Sequence, residues 1–285
     1  MKFIGGSIVS AYQWLNRLSI DVCLGALAGG IMATRYLDVD PGWAYWIVLP
    51  LTVWLIYTAD HLIDGWKIKR KASHQRHIFH QDYRRKLIFS SSLILILTAF
   101  FAFVYLPYEI IIFGSILGIM AVIYLIIVLL IPSSSSAILF QKEVFVALFY
   151  TAGIWGPVLV IKIDYSYHEY LAMSLFFLLA FAELILLSLK EINADKKDGQ
   201  RSIPIVSGIR FARVLFLITG VYVLLASTLL ILSNPSDTAI KAGYIFITMQ
   251  VGLFVIFFFP ETKNNSQLQR SLGEAIFFLP ALILI

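Results

Sequence analysis

An all-α, polytopic membrane protein is the fold class this chain predicts, and three observations carry that expectation. Of its 285 residues 60% are hydrophobic, the mean hydropathy is +0.85, and charged residues make up only 14%. That charged share is about half the usual one for soluble domains. Apolar runs near the length a helix needs to cross a bilayer recur from end to end, with no composition shift to mark a soluble appendage. Residues 1–285 are therefore expected to form one transmembrane domain. The single cysteine, Cys23, falls in the first run and cannot form an internal disulfide. Met1–Gln13 shows no persuasive cleavage site, so no removable signal peptide is expected there.

Nine spans are expected, in order Leu15–Thr34, Trp43–Ile63, Leu87–Leu106, Ile110–Ile131, Val144–Ile161, Tyr170–Leu189, Val214–Leu232, Ala242–Phe259 and Leu272–Ile285. The breaks carry residues that interrupt helices or expose the chain: Pro107, Pro132–Ser136 and Asn234-Pro235. The serine run reads as a flexible connector. The last span is only about 21 Å long at 1.5 Å per residue, short for a full crossing unless it starts earlier or crosses in part.

Orientation follows from charge. With nine spans, the N-terminus and the 2–3, 4–5, 6–7 and 8–9 connections share one side. That side carries all 22 Lys and Arg except Arg35, Lys162 and Lys241. The positive-inside rule makes it cytoplasmic. The net charge of +5 is then chiefly a topology signal. No basic soluble surface with groove-reading elements is visible, which excludes nucleic acid as a partner.

The two largest connections on that side, Gly65–Lys86 and Glu191–Arg213, are preceded or opened by paired acids. Asp60 and Asp64 end the second span, and Glu191 and Asp195 follow the sixth. Each pair has i, i+4 spacing and shares one helix face if the helix continues past its apolar run. Asp198 falls on the same stripe before Gly199, a helix stop. Acids at a helix C-terminus oppose the helix dipole, so capping does not explain them. Such carboxylates repel one another unless a cation joins them, and hard divalent cations such as Mg2+ take carboxylate oxygens and share phosphate ligands. Tyr57 lies one turn before Asp60. The run Lys69–Lys71 reads as a topology and headgroup signal, whereas Arg76 suits a phosphate oxygen.

The chain resembles the UbiA-type intramembrane prenyltransferase superfamily, whose members have nine transmembrane helices and two Asp-rich motifs, NDxxDxxxD and DxxxD. Glu191-x-x-x-Asp195 with Lys197, Gly199, Arg201, Ser202 and Pro204 resembles the family's DxxxDxxxGxKTxP run. Asp60 and Asp64 match the latter half of the first motif, while Ile56 and Tyr57 stand where its Asn and first Asp belong. His74, Gln75, Arg76 and His77 occupy the region of the family's Asn-Arg-Pro-Leu. The family's Tyr-x-x-x-Lys is broken, since Tyr124 is followed by Val128, and Lys142 is the only basic residue of that connection.

The resemblance implies a UbiA-like bundle around a central cavity, with Asp60, Asp64, Glu191 and Asp195 as catalytic acids. Together with Asp198 these would be the ligands of Mg2+. Tyr57, Lys67, Arg76, Lys142, Lys197 and Arg201 would meet the substrate, a prenyl diphosphate donor. The prenyl group would pass to a lipophilic or aromatic acceptor, in an apolar chamber in contact with membrane lipid. The implied setting is an integral membrane protein of a cell inner membrane with its active site facing the cytoplasm. Two alternatives stand beside it: a terpene cyclase on the same fold, and a non-catalytic lipid-binding or transport relative. A break at Gly153–Pro157 is the one feature suggestive of transport.

The remaining intramembrane acids need partners or a cavity. Arg17, one turn before Asp21, is the expected partner of that residue. Glu183, about two turns before Glu191, could line the same chamber and act as a base, and Glu274 sits in apolar surroundings. Tyr150 and Trp155 are further aromatic candidates for steadying an allylic cation. His77 and His80 are spaced to share a metal such as zinc, but the basic loop and absence of nearby cysteine favour histidines that cap the site or contact diphosphate. His61 is expected on a different helix face from Asp60.

Overall fold

Helix accounts for nearly all of the architecture. The computed structural model describes residues 14–68, 72–73, 75–130, 142–260 and 266–285, and no strand occurs among them. The expectations for Met1–Gln13, Lys69–Lys71, His74 and the serine connector lie outside the described residues.

In chain order the helices are α1 (Ile20–Leu37), α2 (Tyr45–Lys67), α3 (Gln75–Asp82), α4 (Arg84–Tyr105), α5 (Tyr108–Leu130) and α6 (Lys142–Leu159). They continue with α7 (Tyr167–Asp198), α8 (Ile203–Val206), α9 (Ile209–Ser233), α10 (Asp237–Phe258) and α11 (Ser266–Ala275), and a 3₁₀ helix over Ile276–Leu284 ends the chain. Seven of these, α1, α2, α4, α5, α7, α9 and α10, are long and apolar enough to cross a membrane. The remaining two expected spans are represented by α6 and the C-terminal segment, which fall outside that set. The C-terminal segment does start earlier than expected, at Ser266. Its 3₁₀ stretch rises about 2.0 Å per residue, so nine residues reach about 18 Å.

The first span is shifted relative to expectation. Ser19 has φ 56°, in the left-handed region, and separates a helical turn at residues 14–17 from α1. That break ends the i, i+4 stacking of Arg17 on Asp21, and the expected pair does not form. Arg17 instead lies over the Trp14 ring, 5.5 Å from its centroid.

Small residues let α1 pack deep in the bundle. A Cβ on Gly29 would stand 2.8 Å from the Phe176 ring of α7. The core runs along α7, where Leu175, Phe176, Leu179, Ala182, Ile185 and Leu186 are fully buried. On the outside, α4 and α5 expose large apolar side chains such as Phe89, Ile96, Phe103 and Leu130. A flank of this kind suits lipid and would be costly in water.

Local signals explain how α7 reaches the site. The Glu169 carboxylate accepts the Ser166 backbone N–H at 2.9 Å at its start. Its 32 residues extend about 48 Å, well past a hydrocarbon core of about 30 Å. Gly199, at φ 68°, supplies the left-handed cap that stops it, as its sequence position suggests. At the other break, α6 runs unbroken to Leu159 with Pro157 inside, so Gly153–Pro157 is not a discontinuity.

Candidate active site

The first acid pair lies in the last turns of α2, where the helix continues past its apolar run to Lys67. From the first residue of α6, Lys142 places its ammonium 2.7 Å from Asp60 Oδ2 and 2.6 Å from Asp64 Oδ2. One cation thus offsets the repulsion between two acids one turn apart. Asp60 Oδ1 is buried and has no hydrogen-bond partner. Buried polar atoms are rarely unsatisfied, so this oxygen is able to accept a further partner.

The second pair arrives on α7. Glu191 and Asp195 line the same cavity as Asp60 and Asp64, a space of about 180 Å³. After Gly199 the chain turns back so that Gln200, Arg201 and Ser202 line it as well. Glu143 anchors this return. Its Oε1 accepts the Ile203 backbone N–H at 2.7 Å and the Ser188 hydroxyl at 2.8 Å.

Three expected site residues stand apart from the cavity wall. Asp198 accepts the Ser73 backbone N–H at 2.8 and 3.0 Å. It lies seven residues beyond Glu191, about 10 Å farther along the helix axis, which carries it past the mouth. Lys67 donates to the Val128 carbonyl, and Lys197 is exposed at the end of α7.

Beneath the mouth lies a network that joins distant parts of the chain. Arg76, only 5% exposed, places Nη2 3.1 Å from Asp21 and 2.8 Å from Glu274, and its Nε donates to the Asn16 carbonyl at 2.7 Å. Asn16 also donates from its side chain to Asp21 at 2.7 Å and to Glu274. Arg270 donates to Glu191 at 2.6 and 2.8 Å and to Glu274 at 3.1 Å. Arg76 lines the cavity, yet its guanidinium is engaged by these internal carboxylates, so it braces the wall. Burial lowers the His80 pKa; the Arg76 carbonyl accepting from Nδ1 at 2.8 Å partly counters this, and the Arg76 charge lowers it further.

Arg270 was not among the residues singled out from sequence. Its signal was available, since Arg270 and Glu274 stand at i, i+4 directly before the final apolar run. Glu183 lines the cavity, and Glu274 does too. Histidine clusters differently from expectation: His61, not His80, joins His77 beside Asp64.

A second cavity of about 300 Å³ adjoins the first. Its walls are almost wholly apolar and come from α2, α4, α5 and α6, with Gly114 and Gly118 of α5 facing open space. Tyr57, Asp60, Val146 and Tyr150 border both spaces. Trp155 is buried against Tyr36 and Phe176 and lines neither. The result is a charged mouth opening directly onto a greasy pocket. An amphiphile with a polar head and a hydrocarbon tail matches that shape.

No family model and no curated protein matches the sequence. The structure is similar to that of a UbiA homolog from Archaeoglobus fulgidus, solved bound to DMAPP and Mg2+ and also bound to GPP and Mg2+. In each comparison the TM-score is 0.64 at 12% identity, covering 94% of this chain and 99% of the other. The chain therefore has the UbiA membrane fold, as its motifs lead one to expect.

Proposed function

We propose that this protein is a Mg2+-dependent intramembrane prenyltransferase, which moves a prenyl group from its diphosphate to a lipophilic or aromatic acceptor. The observation that carries the reading is the junction at Tyr57 and Asp60, where the acid-lined cavity meets the apolar chamber. The prenyl diphosphates and Mg2+ bound by the structurally similar UbiA homolog support it.

The donor set fits the metal. Asp60, Asp64, Glu191 and Asp195 offer hard carboxylate oxygens, and Asp60 Oδ1 is buried without a partner. These residues would hold Mg2+, which when bound neutralises the departing diphosphate as a Lewis acid. Lys142 and Arg201 bring further positive charge to phosphate oxygens. The faces of Tyr57 and Tyr150, at the junction, steady the allylic carbon as its bond to oxygen weakens. The apolar chamber holds the tail and keeps water from the cation. Glu183, on the cavity wall, is placed to accept a proton from an acceptor. We place the mouth on the cytoplasmic side of a cell inner membrane, on the strength of the charge asymmetry of the loops.

A second reading, cyclisation, is favoured by one observation: where the family's first motif carries Asn and Asp, this chain puts Ile56 and Tyr57 on the wall of the apolar chamber. A single experiment separates the readings. Purified protein is incubated with Mg2+ and a panel of labelled prenyl diphosphates, with and without membrane lipid extract. A labelled product that requires extract supports transfer, and a hydrocarbon or alcohol formed without it supports cyclisation or hydrolysis. Intact substrate throughout overturns both.

A further inference from the structure

We propose that His61, His77 and Asp64 form a binding site for a first-row transition metal ion of the Zn2+ class, beside the carboxylate set assigned to Mg2+ and sharing Asp64 with it. One ligand atom from each of these buried side chains lies within 4.8 Å of the others. His77 Nε2 stands 3.8 Å from Asp64 Oδ2. A tetrahedral ion with bonds of about 2.0–2.1 Å holds its ligands roughly 3.4 Å apart, so small side-chain rotations close the site.

His61 is the residue that points to a ligand. It is 7% exposed, and neither Nδ1 nor Nε2 has a hydrogen-bond partner. A neutral imidazole carries one donor and one acceptor, and buried groups of that kind are nearly always satisfied. The rings of His77 and His80 flank it, with centroids 5.5 and 5.1 Å away, but they satisfy neither nitrogen. An ion would take one of them. His80 stands outside this group of converging ligand atoms, and its Nδ1 meets the Arg76 carbonyl at 2.8 Å.

The donor chemistry selects the ion. Two imidazoles and one carboxylate suit Zn2+, Fe2+ or Ni2+, whereas Mg2+ prefers oxygen alone. Asp64 and nearby Asp60 supply two negative charges against the ion and the Lys142 ammonium. His61 and Asp64 lie on the last turns of α2 and His77 lies on α3, so the ion would tie α3 across the end of α2. Asp64 is the one residue that this site and the proposed Mg2+ site share, and the inference does not depend on diphosphate chemistry.

The test is titration of the EDTA-stripped, full-length protein with Co2+ alone, followed by visible absorption. Expected is a saturable band at one equivalent, displaced by Zn2+ and not by millimolar Mg2+. His77→Gln and His61→Leu should each weaken binding by at least about 10-fold, whereas Glu191→Gln, on the other acid pair, should retain it. If His61→Leu does not fold, the wild-type titration and His77→Gln still decide. Absence of a saturable band in the wild type, or an unchanged band in His77→Gln, overturns the site. Failure of prenyl diphosphate turnover with Co2+ binding intact would remove the proposed function and leave this site standing.

Discussion

Arg270 Nη1 donates to both carboxylate oxygens of Glu191, at 2.6 and 2.8 Å. The leading acid of the second motif is thus already joined to a cation from a helix 79 residues away. Arg270 also reaches Glu274, so one guanidinium serves two acids in a partly buried place. Its removal leaves Glu191, Glu274 and Glu183 around one cavity with less positive charge to balance them. Arg270→Ala should destabilise the folded protein by about 3 kcal/mol, the low end for a broken buried pair because both side chains keep some solvent contact. Millimolar Mg2+ should restore part of the lost melting temperature, since a divalent cation can replace the missing charge at Glu191. Thermal unfolding in detergent, with Mg2+ or with EDTA, measures both effects; a drop that Mg2+ does not relieve argues against a cation site at Glu191.

Legibility tracked the range of the interaction. The continuation of α7 to its glycine stop, and the i, i+4 pairs it carries, rest on local periodicity and could be read directly. Asp198 and Arg76 were harder, because which carboxylate meets which partner depends on packing between helices. The Lys142 bridge spans 78 residues in sequence to Asp64, and no periodic pattern announces it. Arg17 and Asp21 failed for a local reason instead: the left-handed Ser19 breaks the helix that the apolar pattern implies. The pairing of Arg270 with Glu191 joins positions 79 residues apart and depends on how α11 packs on α7, which local sequence does not encode.

Lys142 sits where a metal ion would compete with it. Lys142→Met should leave Asp60 and Asp64 facing each other and tighten binding of Mg2+ in the absence of diphosphate. The same change should raise the donor KM by about 10-fold, equivalent to one lost charge-assisted contact of roughly 1.4 kcal/mol. Calorimetric titration with Mg2+ and steady-state kinetics give the two numbers. Equal weakening of both would assign Lys142 a purely structural role.

The apolar chamber makes a prediction about chain length. Gly118 of α5 borders it, and a Cβ built there meets nothing within 4 Å. Gly118→Phe should therefore fill the chamber at small cost to stability, replacing a residue unfavourable in a helix. Turnover of long prenyl diphosphates should fall by at least about 10-fold relative to the shortest accepted donor, a difference of about 1.4 kcal/mol. Unchanged relative kcat/KM across the donor series would show that the tail lies elsewhere.

His80 supplies a pH test. Its folded-state pKa lies below the ordinary 6.5, first through burial. The native state therefore favours neutral imidazole, and the unfolded chain binds the proton more readily. The stability contributed is present above pH 6.5 and is lost as pH falls through that value toward the folded pKa. His80→Gln should flatten the decline in melting temperature between about pH 7 and pH 5. An identical slope in wild type and variant would assign the pH dependence to other groups.

The last prediction separates metal chemistry from mere charge at a helix end. Asp64 and Asp195 come from different motifs and different helices, yet both line the cavity of about 180 Å³. Asp64→Asn and Asp195→Asn each remove one negative charge with almost no change in volume. If the carboxylates jointly hold Mg2+ against a diphosphate, each substitution should lower diphosphate release by about 10²–10³-fold, the scale for losing one stabilising group at a developing charge. Mg2+-dependent donor binding should weaken in both, because an ion shared between motifs feels the loss from either side. Helicity and expression should persist, since neither side chain is part of the apolar core. A surface-charge role predicts instead stability changes within about 0.5 kcal/mol and little change in rate. Wild-type activity that persists in EDTA, or in both Asn variants, removes the metal–diphosphate mechanism.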